Sequence, residues 1–199
     1  MMKYEKINFL GVNKCMYNKG TEKIETDRLI LRKFLKTDAH NMYNNWAKEE
    51  CIAVGAGFPV HTDEAVTQEV INIWIDEYKK EHTYNWAIEL KSINEIIGSI
   101  TVVKKDLKND IFEIGYSVGS KWWNKGYATE ALRAVINYLF KDVEVYCIEG
   151  ACRASNIASI KVLTKCNMKQ EAVLRNRRIY NNKREDLIIF SISIEDYNE

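Results

Sequence analysis

Between residues 85 and 141 the apolar side chains change period once, and that change restricts the chain to a mixed α/β architecture. Trp86, Ile88 and Leu90 alternate with Asn85, Ala87 and Glu89. Residues 96–103 are β-branched around Gly98 and Ser99, and residues 111–119 resume as a strand after a charged turn at 105–110. Three such runs joined by short turns predict an antiparallel meander. Beyond a short loop, Ala128, Ala131, Leu132, Val135, Ile136 and Leu139 recur at the spacing of one helix face, which predicts a helix over 127–141.

The flanks extend this pattern. Leu29 and Leu31 alternate with Arg28, Ile30 and Arg32 in a first strand at 26–34, and Thr37-Asp38 offers a cap for a helix running to about residue 48. Gly55, Gly57 and Pro59, the one proline of the chain, mark residues 51–61 as a loop. Thr62 is suited to cap the next helix, along which Val66, Val70, Trp74 and Tyr78 recur every four residues. A strand at 143–152 follows, then a helix capped by Ser155 in which Ser159, Val162, Leu163 and Cys166 share a face, ending at Asn167. Two closing strands, 169–175 and 184–194, flank an Asn181-Asn182 turn. The expected order is β-α-α-β-β-β-α-β-α-β-β, about seven mostly antiparallel strands and about four helices. Residues 1–25 read as an N-terminal extension and 26–199 as one domain.

Composition removes several functions. In 199 residues, 29 Lys and Arg face 28 Asp and Glu, so a net charge of +1 gives no field for nucleic acid or an acidic membrane. No long apolar run or leader-like apolar segment occurs, and a cytoplasmic location is expected. Cysteines 15, 51, 147, 152 and 166 form no Cys-x-x-Cys pair, and only His40, His61 and His82 are present to help them. Neither a disulfide framework nor a metal site is expected.

Chemistry concentrates where the third strand of the meander turns into the helix, through Ser120-Lys121-Trp122-Trp123-Asn124-Lys125-Gly126. A strand that turns tightly into a helix aims unpaired backbone N–H groups, backed by the positive end of the helix dipole, at one point. That point suits a phosphate, although an ordinary βα turn has the same outline. Gly126 leaves room for a ligand at the backbone and Ala128 is nearly as small. The Gly115-x-x-x-Gly119-Ser120-Lys121 stretch lacks Walker A spacing, and no G-x-G-x-x-G occurs.

The residues Trp122-Trp123-Asn124-Lys125-Gly126-Tyr127-Ala128-Thr129-Glu130-Ala131 resemble the acyl-CoA pyrophosphate loop of the GNAT N-acetyltransferase superfamily, in its RimJ/RimL-like branch. Thr26-Asp27-Arg28-Leu29-Ile30-Leu31-Arg32 is similar to that branch's opening strand, and Phe112-Glu113-Ile114-Gly115-Tyr116 to its central one. Asn156-Ile157-Ala158-Ser159, with Val162-Leu163 and Cys166-Asn167-Met168, resembles its second CoA motif. Four departures stand out. Trp123 replaces the usual Gln or Arg, Asn124 and Asn167 replace glycines, and Leu163 stands where many members carry a tyrosine general acid.

The resemblance implies a GNAT fold whose central strands, 111–119 and 143–152, splay to admit the pantetheine arm of acetyl-CoA. Tyr116, Ser117 and Val118 would lie along the open edge. The backbone of Asn124, Lys125, Gly126, Tyr127, Ala128 and Thr129 would hold the pyrophosphate, and Asn156 and Ser159 would contact the arm. Glu113 is the candidate base for the amine, and Ser159 the candidate donor to the departing thiolate or to the oxyanion. The N–H near Ser117 is a further oxyanion donor. Trp46, Phe58 and Trp74 are candidate acceptor walls. Arg175, Arg177, Arg178, Lys183 and Arg184 offer either a receptor for an acidic ligand end or a solvated turn. The function so implied is acetyl transfer from acetyl-CoA to a protein N-terminal amine. The alternatives are a small-molecule amine such as an aminoglycoside, polyamine or amino acid, and a non-catalytic acyl-CoA-binding module. Acetyl-CoA and an amine are the expected partners, and a homodimer is compatible with this family.

Overall fold

Residues 19–80, 82–180 and 182–198 are described by the computed structural model, and Cys15 and Asn181 lie outside them. The strands are β1 (Ile24–Glu25), β2 (Leu29–Arg32), β3 (Asn85–Leu90), β4 (Glu95–Asp106), β5 (Ile111–Val118), β6 (Cys147–Arg153), β7 (Lys169–Tyr180) and β8 (Lys183–Ser193). The helices are α1 (Ala39–Met42), α2 (Glu50–Ala56), α3 (Glu64–Glu77), α4 (Tyr127–Lys141), α5 (Ile157–Lys165) and α6 (Ile194–Asn198). All eight strands form one sheet in the order β1-β2-β3-β4-β5-β6-β8-β7. Every neighbouring pair is antiparallel except β5 and β6.

Alternation along the strands builds two cores. Leu29, Leu31, Trp86, Ile88, Ile100, Phe112, Ile114 and Ile148 pack with Leu132, Val135, Ile136 and Leu139 of α4 and with Leu163 of α5. Ala87 and Ile96, from the opposite pleat, pack with Met42, Trp46, Ile52 and Ile71 beneath α1–α3. Each fully buried Leu, Ile or Val contributes about 1.5–3 kcal/mol. The helical stripe at 127–141 is strong for that reason, and the predicted and observed bounds of α4 coincide.

Several expectations need correction. Among the described residues there are eight strands and six α-helices, against the about seven and about four expected. β1 pairs with β2 through Ile24↔Leu31 and Glu25↔Ile30, so the expected boundary after residue 25 falls inside a hairpin. Residues just before it are also held: Thr21 Oγ1 donates to Thr83 O at 2.9 Å, and Trp86 Nε1 donates to Glu22 O at 2.7 Å.

The stretch 51–61 is not all loop. Burial of Ile52 and Ala53 outweighs the cost of about 1 kcal/mol for Gly55 in a helix, and Gly57 ends α2 at φ 80°. Asp63, not Thr62, caps α3, its carboxylate accepting from Val66 N at 2.9 Å. Asn156, not Ser155, caps α5. Asp38 caps nothing forward. Its carboxylate turns back to Leu35 N and to both terminal nitrogens of Arg32, at 2.8–2.9 Å. The first helix becomes a short α1 between a 3-10 turn at Lys36–Asp38 and a π-turn at Tyr43–Ala47.

One polar cluster ties α4 to the edge of β2. Glu130 Oε1 accepts from Thr26 Oγ1 at 2.6 Å and from Arg28 N at 3.0 Å, while Oε2 pairs with the Arg28 guanidinium at 2.5–2.6 Å. Burial works to raise the Glu130 pKa, but these donors together hold it below the ordinary value. The folded carboxylate therefore binds a proton less readily than the unfolded one. Its contribution to stability is present above the unfolded pKa of about 4.3 and is lost as pH falls through the folded value. Glu130→Gln should be less stable than the parent at pH 7, with the gap closing in urea melts taken below about pH 4.3. A gap that persists unchanged in acid would show that the carboxylate charge does not hold this cluster.

Candidate active site

The site begins where pairing stops. β5 and β6 are joined in parallel through Ile111↔Cys147, Phe112↔Ile148, Glu113↔Glu149 and Ile114↔Gly150, and no further. Beyond that point β5 stays on β4, through Gly115↔Thr101 to Val118↔Gly98, while β6 stays on β8 through Ala151↔Ile189 to Arg153↔Leu187. The two strands splay into a V whose inner edges carry backbone groups free to pair with an extended ligand. Tyr116 and Ser117 lie on the stretch of β5 that no longer pairs with β6. Val118 stands there too, but its carbonyl is already taken by Trp123 Nε1 at 2.6 Å.

From the end of β5 the chain enters the loop. Gly119 is required there, since a Cβ would lie 2.1 Å from Asn45 O and 2.8 Å from the Trp122 ring. Ser120–Trp122 form a 3-10 turn that buries Trp122. Asn124 at φ 59° and Gly126 at φ 82° then reverse the backbone into α4, so Asn124 takes the left-handed conformation that the missing glycine would supply. Gly126 occupies the N-cap and provides no side-chain oxygen, so the first-turn N–H groups of Tyr127, Ala128 and Thr129 keep no cap from that residue. With the helix dipole behind them they make an anion seat.

Arg28 fixes this seat from outside. Its Nη1 donates to Lys125 O at 2.9 Å, its guanidinium stacks 4.6 Å over the Tyr127 ring, and Glu130 holds its other edge. Neither Arg28 nor Glu130 stands out as a site residue in the sequence, although both lie within segments that resemble family motifs. A cleft of roughly 690 Å³ beside the seat is lined by Arg28, Gly126, Thr129, Arg133 and Lys165, among others.

Across the V, α5 supplies the second set of groups. Asn156 Oδ1 accepts from Ser159 N at 3.1 Å, and the half-buried Ser159 Oγ lies 2.8 Å from Tyr116 Oη. Leu163 is 1% exposed, and its Cδ2 lies 3.0 Å from where a Cβ on Gly150 would stand. The position is core, sealed against the last paired residue of β6. Cys152 is buried beside Ser159. Burial pushes its thiol pKa up, against a lowering by the Ser159 hydrogen bond. Cys51, Cys147, Cys152 and Cys166 are all free thiols.

On the opposite pleat Glu113 sits half-buried, one residue before the V opens, beside Glu149 in parallel register. The expected acceptor walls are less coherent. Trp46 is 1% exposed and belongs to the core, so it presents no surface to a ligand. Trp74 packs on Phe34 at 4.8 Å, and Phe58 meets His61 edge-on at 5.8 Å.

The β7–β8 hairpin is longer than expected, and its Arg175, Arg177, Arg178, Lys183 and Arg184 are exposed. Arg153 reaches it from β6, its guanidinium 3.5 Å over the Tyr180 ring and 3.6 Å from Glu185. Among the described residues no group of three or more His, Cys, Asp or Glu is placed to hold a metal ion, and no helix is long and apolar enough to cross a membrane.

Comparison with known proteins agrees with this geometry. Residues 28–169 match the family model described as an acetyltransferase (GNAT) domain. The uncharacterized N-acetyltransferase p20 of Bacillus licheniformis is 28% identical over 176 residues, 88% of this chain and 98% of that protein. The uncharacterized N-acetyltransferase YoaA of Bacillus subtilis is 29% identical over 171 residues, 85% of this chain and 95% of that one. Among solved structures, a GNAT-family acetyltransferase from Bacillus anthracis superposes with a TM-score of 0.76 at 26% identity, covering 87% of this chain and 99% of that chain. RimL, a ribosomal L7/L12 α-N-protein acetyltransferase solved with coenzyme A, shares the fold at a TM-score of 0.78 and 18% identity, covering 88% of this chain and 99% of its own. A splayed β5–β6 pair, an uncapped α4 behind a left-handed loop and the match over most of the chain converge on one assignment: the chain belongs to the GNAT family and is an acetyl-CoA-dependent N-acetyltransferase.

Proposed function

We propose that this enzyme acetylates a protein N-terminal α-amine, with acetyl-CoA seated in the V between β5 and β6. The observation that carries the reading is the halt of β5–β6 pairing at Ile114↔Gly150, which leaves backbone edges for the pantetheine arm directly beside Glu113. The pyrophosphate sits on the N–H groups from Asn124 to Thr129, and Asn156 frames the arm from α5.

Three chemical demands follow. The amine must be neutral, the tetrahedral oxyanion needs donors, and the thiolate needs a proton. An α-amine with pKa 7.7–8.0 is already neutral in roughly a tenth of molecules at pH 7, whereas a lysine at about 10.4 is neutral in fewer than about one in a thousand. A single half-buried carboxylate is an adequate base for the former. Glu113 takes the amine proton, directly or through one water. The nitrogen attacks the acetyl carbon, the oxyanion is met by the N–H near Ser117, the C–S bond breaks, and Ser159 returns a proton to sulfur. The fold neighbours RimL and a ribosomal-protein-S5-alanine acetyltransferase lend support to an N-terminal acceptor.

A second reading, a small polyamine or aminoglycoside, draws on Glu149. It stands beside Glu113 in register, and two adjacent carboxylates favour an acceptor with more than one positive charge.

The deciding experiment is acetyl-CoA-dependent thiol release against N-terminal peptides, polyamines and aminoglycosides. Turnover with peptides alone supports the first reading, and turnover with polyamines or aminoglycosides alone replaces it with the second. In the active pairing, Glu113→Gln should lower kcat about 100-fold, within the range of general base catalysis, with CoA affinity unchanged. Unaltered turnover would remove Glu113 from the mechanism. Gly126→Glu places a carboxylate on the anion seat at a left-handed residue, where a side chain costs about 1–2 kcal/mol. It should abolish CoA binding in calorimetry while the protein still melts cooperatively. Retained binding would move the pyrophosphate elsewhere.

A further inference from the structure

The tyrosine that many family members carry at this point of α5 is absent, and Leu163, a hydrocarbon side chain buried against Gly150, has no proton to give in its place. A phenol nevertheless reaches the same neighbourhood from a different element. Tyr116 lies on the part of β5 that has left β6. Its Oη crosses beneath the V to Ser159, 2.8 Å from Oγ and 3.3 Å from the carbonyl oxygen. Asn156 holds the Ser159 N–H, and the single phenolic proton of Tyr116 has two acceptors on the same residue, Oγ at 2.8 Å and the more distant carbonyl oxygen at 3.3 Å, of which the shorter contact is to Oγ.

We propose that Tyr116 is a positioning residue for the leaving-group proton: its phenol donates to Ser159 Oγ and so turns the serine's own O–H into the V, toward the sulfur of the departing CoA. This rests on Ser159 being the donor to the thiolate. Were the phenol not donating, the Ser159 hydroxyl would spend its own proton on the phenol oxygen 2.8 Å away, and that proton would then be unavailable. With Tyr116 donating into the hydroxyl, that oxygen is already an acceptor, and its proton is free to point outward.

The surroundings fit a donor at Tyr116. Burial raises the phenol's pKa above the ordinary value, and the neighbouring Cys152 and Cys166 push the same way against the Ser159 hydrogen bond. The phenol therefore keeps its proton throughout the working range.

The proton count closes. As the C–S bond breaks, the electron pair stays on sulfur, the Ser159 O–H bond breaks and an S–H bond forms. The serine oxygen, stabilised meanwhile by the Tyr116 donor, regains a proton from water, which carries the one that Glu113 took from the amine.

The test uses Tyr116→Phe, Ser159→Ala and the double variant in the full chain, with thiol release measured on the best amine from the panel. Tyr116→Phe keeps the ring and its packing. Each single change should lower kcat about 10- to 100-fold with KM for acetyl-CoA within about twofold, the scale of a lost proton-transfer contribution. The double variant should be no more than about twofold worse than Ser159→Ala, because groups that act as a unit are non-additive. A structural role for Tyr116 would instead give multiplied losses in the double variant or a raised KM, and either result would overturn the proposal. Full turnover in Tyr116→Phe alongside an impaired Ser159→Ala would also overturn it, leaving Ser159 as donor without this partner. Full turnover in Ser159→Ala would instead refute the serine reading beneath it.

Discussion

The parallel bond between β5 and β6 ends after Ile114↔Gly150, and the rest of the molecule is arranged so that it can end there. Unpaired backbone inside a sheet is costly, so two strands that diverge must each be held from the other side. β5 is held by β4 along its whole length and β6 by β8 through seven residue pairs. Below the V, Leu163 wedges against Gly150, and Tyr116 and Ser159 bridge the gap by side chain. The opening is therefore fixed by packing on three sides, which makes it a preorganised slot rather than a fluctuation.

The loop before α4 depends on left-handed backbone in a similar way. Asn124 at φ 59° and Gly126 at φ 82° aim the loop, and Asn167 at φ 61° follows the end of α5. Asparagine is the side chain that reaches this region at least cost, so both exchanges keep the turns while giving up some freedom of approach. Arg28 compensates by clamping Lys125 O and the face of Tyr127 from the neighbouring strand edge. The seat for an anion is thus braced by a cation whose charge Glu130 neutralises.

Much of this was legible in the sequence where a single period dominates. The α4 stripe, the three-strand meander and the left-handed demand on Asn124 all follow from local residues. What failed did so where tertiary burial overrode a local signal. Gly55 and Gly57 marked α2 as loop, but Ile52 and Ala53 had a core to enter. Asp38 looked like a helix cap until Arg32 claimed its carboxylate from six residues back. Trp46 was a reasonable wall by residue type, yet an aromatic ring is as useful to a core as to a cleft, and here the core has it. The Arg28–Glu130 clamp spans 102 residues and leaves no periodic trace at all.

The acceptor is hardest to read for a related reason. Glu113 and Glu149 belong to strands joined by a crossover containing α4, and only the parallel register places them side by side. A one-residue slip would move Glu149 to the other pleat and leave Glu113 alone on its face. If the amine enters beside Glu113 as proposed, the charge that it meets is a property of strand register rather than of any motif. The loop proposed to hold CoA, by contrast, is built from consecutive residues. It follows that a chain can share its cofactor seat with relatives through contiguous motifs and still diverge in acceptor through a register, a longer hairpin or a shifted α2. The side chains proposed to face the amine, Glu113 and Glu149, come from elements distant in sequence, so a change of register alone can alter the acceptor.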